Sequence, residues 1–396
     1  MKTKTFILNS FLVLVSISVP LLGISLVLEL IPTNRPSKIL MIERKRSREI
    51  DNPEMIKSAA NGFSPLYYPT DTKKHFIGSR YYPVGTLPNT KTYYCNEGYG
   101  LISYKSDRFG LRNNDEDWDK IRNKGATFFI GDSFTHGACV DTKFVVTDLF
   151  SNLLNANALN LGTGGNGPYE YIALLKNVVK PIISSNLGKE FSTILVFYDN
   201  DSVRFNETLD RHLSTSQPIA EVNPNGFINV SSEYLSILNE TITSNYPTNS
   251  RDIVEELKST QQPLTKFKGN FAYRVLTLYQ LRSRFKKIIN TKKSPLSTNP
   301  SIKAISKLYS ICNSKTSCTP YVAYIPNSNY WRPNDASNKY KLLLEKTSRS
   351  LSIEFLDSSS VINPNEKINY APFGGHLSHA GYRKLASFIA SKLNKK

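Results

Sequence analysis

After Lys120 the chain alternates short apolar runs with stretches of helical spacing, and few folds accept that alternation. Ala126–Ile130 is an apolar run that stops at Gly131 and reads as a buried strand. Phe144–Leu154 follows with apolar residues at helical spacing. Ala158–Leu161 is a second strand ending at Gly162, and a helix is predicted from about Tyr169 to Val179. Thr193–Tyr198, Tyr321–Ile325 and Ile353–Leu356 read as three further strands, with helices at Lys339–Ser350 and His379–Leu393. Strands that alternate with helices pair in parallel, because each crossover helix carries the chain back to the same end of the sheet. The expected architecture is α/β: a three-layer α/β/α sandwich around a five-stranded parallel sheet covered on both faces.

Outside that region the organisation changes. Thr5–Leu28 carries no charge, and its length exceeds the ~20 residues of a membrane-spanning helix. Lys2 and Lys4 precede it and no A-x-A cleavage pattern follows, so residues 1–31 are expected to form a retained signal anchor, a transmembrane helix. The flank after it holds Arg35, Lys38, Arg44, Lys45, Arg46 and Arg48, which by the positive-inside rule would put the body in the cytoplasm. A very short N-terminal tail and an even cysteine count point outward, and a body in the periplasm or cell envelope is the expectation. Residues 32–120 form a Tyr-rich extension, with pairs Tyr67-Tyr68, Tyr81-Tyr82 and Tyr93-Tyr94, expected to pack on the main domain in short strands. Residues 121–396 form that domain, with an insertion at about 202–305 that is polar and loop-rich before a basic amphipathic helix, Phe271–Ile289.

The formal net charge of +18 favours anionic surroundings, such as lipid headgroups or acidic glycans. No nucleic-acid-binding motif accompanies it, so no nucleic-acid partner is expected. The 4 cysteines lack the paired spacing of a zinc site, and no metal or cofactor is expected. Of the three possible connectivities we favour Cys95–Cys139 with Cys312–Cys318, the second because so few residues intervene.

Gly131-Asp132-Ser133 stands directly after the first strand, where open α/β sheets place their ligands. A serine there can act on an acyl group if a base, an oxyanion hole and a group to orient the base accompany it. Asn160-Leu161-Gly162 and Asp199-Asn200-Asp201, at the ends of the second and third strands, offer a backbone N–H and a side-chain amide. The base candidate is His376, in the Gly-Gly loop before the last helix. Ser378 reads as that helix's N-cap, which makes His379 its first residue and fixes its direction, whereas His376 remains free to reach back.

Four blocks in this order resemble those of the SGNH (GDSL-type) hydrolases: Gly131-Asp132-Ser133-Phe134, the glycine of Asn160-Leu161-Gly162, the asparagine of Tyr198-Asp199-Asn200-Asp201, and His376 five residues before Gly381. Ser106-Asp107-Arg108-Phe109-Gly110-Leu111-Arg112-Asn113 and Gly164-Gly165-Asn166-Gly167-Pro168 resemble a membrane-anchored bacterial subgroup. The resemblance implies the flavodoxin-like fold of that family, with Ser133 as nucleophile and His376 as base. It also implies an oxyanion hole from the Ser133 N–H, the Gly162 N–H and the Asn200 side chain. Members hydrolyse or transfer acyl esters, often acetyl groups on carbohydrates, without a metal. An envelope glycan ester is thus the implied substrate.

Two positions depart from the family pattern. Phe373 stands three residues before His376, where the family has an aspartate, so no acid is in place to orient the imidazole; Asp357, after the fifth strand, is the candidate replacement. Block three has Tyr198 where glycine is common. The absent acid keeps open a second reading, a catalytically silent module of the same fold that binds glycan or scaffolds an assembly. His136 is left between substrate contact and loop packing, Cys139 is expected in a disulfide or as a buried thiol, and His75 and His212 are assigned to surface or loop roles.

Overall fold

The computed structural model describes residues 15–16, 18–28, 30, 53–76, 78–185, 187–203, 207–259, 275–278, 281–282, 299–314, 317–329, 331 and 338–394. Residues 36–258 with 298–396 make one compact unit, and residues 1–35 with 259–297 make another. In the latter, residues 15–16, 18–28 and 30 are helical. Among the described residues no helix is long and apolar enough to cross a membrane. The first part of the expected span lies outside the described residues, as does most of the expected helix Phe271–Ile289.

The larger unit is built on five parallel strands: β4 (Ala126–Ile130), β5 (Ala158–Asn160), β6 (Phe191–Tyr198), β9 (Cys318–Ile325) and β10 (Glu354–Asp357), in the spatial order β10-β9-β6-β4-β5. Counted along the chain this is the 2-1-3-4-5 order of flavodoxin-like folds. Every residue of β4 is buried, which is why it reads as a continuous apolar run rather than an alternating one. Phe128 and Ile130 point into one core with Trp118 and Ile121 of α1 (Glu116–Lys124). The helices α4 (Pro168–Leu174), α6 (Pro300–Asn313) and α7 (Asn338–Ser350) also pack into that core. Phe129 points into the opposite core, against Phe150 of α3 (Val146–Leu154) and Leu385 and Ile389 of α8 (His379–Leu393).

The extension supplies a small sheet in which β1 (Ser64–Pro65) runs parallel to β2 (Lys91–Tyr93), and β2 antiparallel to β3 (Ser103–Lys105). Two of its tyrosines are buried with their hydroxyls engaged: Tyr81 Oη contacts Ser231 Oγ at 3.1 Å, and Tyr82 Oη donates to Glu170 at 2.8 Å. The segment expected as a loop-rich insertion is more regular than its polar composition suggests. It contains the hairpin β7 (Ala220–Val222) and β8 (Ile228–Val230), and α5 (Ser232–Asn245), which buries Tyr234, Leu238 and Ile242. Helix α6 starts inside the expected insertion, where Asn299 Oδ1 accepts the Ser301 N–H at 2.9 Å and Pro300 occupies the first turn. An Asn-Pro start of this kind is a helix signal, here embedded among polar residues that read as loop.

The segment Ser106–Asn113 knots the extension to the sheet. Asp107 is fully buried, and its carboxylate accepts the N–H groups of Phe109 and Leu111, Asn113 Nδ2 and Trp118 Nε1, each at 2.8 Å. Burial pushes its pKa up to about 6 against those hydrogen bonds, so at neutral pH it remains the anion that four donors require. Asn113 in turn closes on β5, accepting the Asn160 N–H at 2.6 Å and donating to the Asn160 carbonyl at 3.0 Å. Replacing Asp107 by alanine would orphan three buried donors, the Phe109 and Leu111 N–H groups and Trp118 Nε1, each costing about 1–3 kcal/mol if left unpaired, while the half-buried Asn113 amide keeps the Asn160 carbonyl. We predict that Asp107→Ala lowers unfolding stability in urea by about 3 kcal/mol or more. A loss below about 1 kcal/mol would show that the knot is dispensable.

Candidate active site

Gly131 and Asp132 turn the chain from β4 into the short helix α2 (Ser133–His136), and Asp132 Oδ1 caps it by accepting the Phe134 N–H at 2.9 Å. Ser133 Oγ lies 2.9 Å from His376 Nε2. The other ring nitrogen, His376 Nδ1, lies 2.9 Å from Glu97 Oε1. The structure therefore joins Ser133 and His376 as expected from their positions, but the acid at Nδ1 is Glu97 and not Asp357. Asp357 ends β10 and is occupied there: Oδ2 accepts Lys341 Nζ at 3.0 Å and Oδ1 accepts the Ser359 N–H at 2.9 Å.

Glu97 sits in the loop joining β2 to β3, whose neck is closed by Tyr94 N–H to Ile102 O (2.9 Å) and Ile102 N–H to Cys95 O (3.0 Å). Asn96 Oδ1 tightens the turn by accepting the N–H groups of Gly98 and Gly100 at 2.8 and 3.1 Å. Glu97 grips the histidine loop three times. Besides the Nδ1 contact, Oε2 accepts the His376 N–H at 3.2 Å and the Glu97 carbonyl accepts the Phe373 N–H at 3.0 Å. Gly374 makes room, since a Cβ there would lie 1.7 Å from Glu97 Cδ. No local motif marks Glu97, which lies 279 residues from His376. One signal could have found it: the expected Cys95–Cys139 pairing brings residue 97 to the loop that leaves Ser133.

Cys95 is bridged to Cys139 and Cys312 to Cys318. Cys139 is therefore no thiol nucleophile. Cys139 Sγ, a Glu97 carboxylate oxygen and a His376 ring nitrogen all lie within 4.8 Å of one another, but with the sulfur in a disulfide only two metal-ligand atoms remain. His379, stacked between Tyr99 and Phe144 at ring separations of 3.9 and 3.7 Å, is held on α8.

The expected oxyanion donors differ in their surroundings. Asn200 lies in the turn Asp199–Val203 that ends β6, and both flanking aspartates are pinned: Asp199 accepts Tyr324 Oη at 2.7 Å, and Asp201 accepts Tyr171 Oη at 3.0 Å and the Tyr198 N–H at 3.1 Å. Asn200 Oδ1 is buried with no partner among the described residues. Gly162 approaches α2 so closely that a Cβ would lie 2.5 Å from the His136 nitrogen. Its N–H donates to Asn160 Oδ1 at 2.9 Å, while Asn160 Nδ2 donates to the Thr135 carbonyl at 2.9 Å. The Gly162 N–H expected in the hole is thus already engaged, because the Asn160 amide folds back over its own loop.

Arg112, also buried, clamps the loop after α2 by donating to the carbonyls of Gly137 and Val140, both at 2.8 Å. The other histidines have structural partners. His212 is buried rather than superficial, with Nε2 3.2 Å from the Ser79 carbonyl and its ring against Tyr82, whereas His75 is exposed beside Tyr246. His136 is fully buried behind Ser133 and stacked on Tyr94 at 4.6 Å. Its Nδ1 accepts the Gly164 N–H at 3.2 Å, so the neutral ring carries its proton on Nε2, which donates to Tyr104 Oη at 2.9 Å.

Neither a protein-family model nor a curated protein matches the chain. Among solved structures it is similar to a chain assigned to the G-D-S-L lipolytic family from Desulfitobacterium hafniense DCB-2, with 12% identity over 67% of this chain and 98% of that one and a TM-score of 0.36. An inhibitor-bound aryl esterase from M. smegmatis is similar at 9% identity, over 68% of this chain and 98% of its own, with a TM-score of 0.33. An acetyl xylan esterase from the rumen bacterium Butyrivibrio proteoclasticus follows at 11%, over 75% and 66%, with a TM-score of 0.30. Likeness of this degree says nothing about what this chain acts on.

Burial, reinforced by the Arg112 and His376 charges, holds His136 well below the ordinary histidine pKa. A ring held neutral in the fold stabilises it fully above the unfolded value of about 6.5, and that contribution is lost as pH falls from there toward the native value. Side-chain ¹⁵N spectra at pH 6 should show His136 neutral with its proton on Nε2. An imidazolium at that pH would remove the assignment.

Proposed function

We propose that this chain is a serine esterase that works through acyl transfer to Ser133. The observation that carries this reading is the pair of hydrogen bonds Ser133 Oγ–His376 Nε2 and His376 Nδ1–Glu97 Oε1, each 2.9 Å. Ser133 Oγ attacks the ester carbonyl as His376 Nε2 takes its proton, and the Glu97 carboxylate stabilises the imidazolium that results. The tetrahedral oxyanion is held by the Ser133 N–H and the Asn200 amide. The alcohol leaves with the proton from His376, and a water activated by the same nitrogen releases the acid from Ser133 Oγ. A second hydroxyl in place of that water makes the same site a transferase. The silent-module reading rests on an absent acid, and Glu97 at Nδ1 favours the enzyme over it.

The substrate in this proposal is a small acyl ester, acetyl above all, on an envelope glycan, reached from a membrane-anchored chain outside the cytoplasm. The two disulfides support an oxidising compartment, and the +18 charge suits an anionic glycan or membrane surface.

Ser133→Ala should abolish hydrolysis of soluble aryl and sugar acetates while leaving stability within about 0.5 kcal/mol. His376→Ala should lose activity nearly as completely, and His379→Ala should keep most of it; the reverse pattern would overturn the choice of base. For the acid, Glu97→Gln should lower kcat by up to ~10⁴-fold, the scale on which a triad loses function when its histidine tautomer is no longer fixed, whereas Asp357→Asn should leave turnover unchanged. Asn200→Ala should lower kcat by roughly 10²–10³-fold with KM little altered. A change confined to KM would make Asn200 a ground-state binding residue.

A further inference from the structure

We infer that Cys95 and Cys139 are positioning residues for the acid of the site, their disulfide fixing Glu97 against His376, so that catalysis depends on this one bridge. The inference rests on the esterase reading only for its kinetic consequence; its structural part stands on the geometry of the bridge.

The bridge links the two segments that must meet. Cys139 lies six residues after Ser133, and Cys95 lies two residues before Glu97. The Cys139 side is a buried anchor. Its residue is buried at φ 59°, between Gly137 and Val140, whose carbonyls Arg112 holds. The Cys95 side is a hairpin loop. Beyond its neck, its attachments outside the loop include Leu101 N–H to Glu54 at 3.0 Å, Tyr99 stacked on His379 at 3.9 Å and the contacts Glu97 makes with the histidine loop, none of them covalent. A carboxylate cannot hold its own loop in place with the hydrogen bonds it needs for catalysis, because each is exchanged readily for water at a partly exposed site. A covalent anchor beside it removes that competition. The proximity of Cys139 Sγ to the Glu97 and His376 ligand atoms, within 4.8 Å, shows how directly the bridge abuts the pair.

Forming the bridge takes two electrons and two protons from the Cys95 and Cys139 thiols and delivers them to a disulfide oxidant, which leaves as a dithiol. On this inference the oxidation that forms the bridge also sets the acid in place. The second disulfide offers an internal control. Cys318 opens β9 beside Phe191 at the start of β6, so that bridge lies at the amino end of the sheet, away from Ser133.

The test compares the full chain with C95S/C139S, C312S/C318S, Glu97→Gln and the triple variant C95S/C139S/E97Q on 4-nitrophenyl acetate. C95S/C139S should lower kcat to the level of Glu97→Gln with KM little changed, and the triple variant should fall no further, since both changes remove the same interaction. C312S/C318S should keep wild-type kcat. Losses that multiply in the triple variant would overturn the inference. Because Cys139 is buried and its replacement can unfold the chain, Cys95→Ala is followed in parallel by a readout independent of turnover, the low-field ¹H resonance of His376 Nδ1–H. That signal should be present in wild type and C312S/C318S and absent in Cys95→Ala and Glu97→Gln. Its persistence in Cys95→Ala, or its absence from wild type, refutes the positioning role. A wild-type signal lost in Cys95→Ala, with no ester turned over by wild type, would uphold the positioning role and sink the esterase reading instead.

Discussion

The connection leaving β4 runs to β5 over one face of the sheet, and the connection leaving β6 runs to β9 over the other. Between two strands whose exits diverge in this way a crevice opens at the carboxyl ends, and the residues that follow those strands border it. Ser133 follows β4 and Asn200 follows β6, so strand order alone brings a hydroxyl and an amide to one cleft. Gly162 follows β5 on the far side of β4, pressed against α2. The site's other parts are tied to this edge: Arg112 holds the loop after α2, and Asn113 holds the end of β5.

The acid comes from outside that sheet. In a flavodoxin-like fold each strand end delivers one short loop to the cleft, and here the loop before α8 delivers His376 without a carboxylate. Glu97 arrives from the β2–β3 hairpin, a separate small sheet whose residues precede the main fold in the chain. On the proposed reading the Tyr-rich extension thus takes part in the chemistry as well as covering the sheet. Its buried hydroxyls, tied to Glu170 and Ser231, fix the platform from which Glu97 reaches.

What could be read from the residues follows the range of the interactions involved. β4 was legible because a strand buried on both faces must be apolar throughout, and Ser133 because it follows such a strand through a glycine. His376 was distinguishable from His379 through Ser378, which caps α8 by accepting the Gly381 N–H at 3.0 Å. Asp357 was misassigned because a position after a strand says which edge a side chain reaches, not what neutralises it there; Lys341, from α7, does so. Glu97 was out of reach for a related reason: a hydrogen bond spanning 279 residues leaves no periodicity or spacing in the sequence. Helix α6 was missed where polar residues around Asn299-Pro300 hid a start signal, and the engagement of Gly162 depends on a side-chain rotation at Asn160 that no spacing encodes.

The same long-range contact changes the meaning of the Gly374-Gly375 pair. Read locally, two glycines before a helix supply flexibility for a histidine that must reach back. In the fold that loop is held rather than loose: Ala371 N–H bonds the His376 carbonyl at 2.8 Å, and Glu97 accepts from both Phe373 and His376. Gly374 is small because the Glu97 carboxyl carbon occupies the place of its side chain. The glycine and the glutamate are thus two halves of one solution, a thin loop and a carboxylate that fills the space beside it. An aspartate three residues before the histidine would orient the ring from within the loop and would need neither. The glycine and the glutamate therefore stand together, and on the inference drawn above the disulfide that anchors the hairpin stands with them.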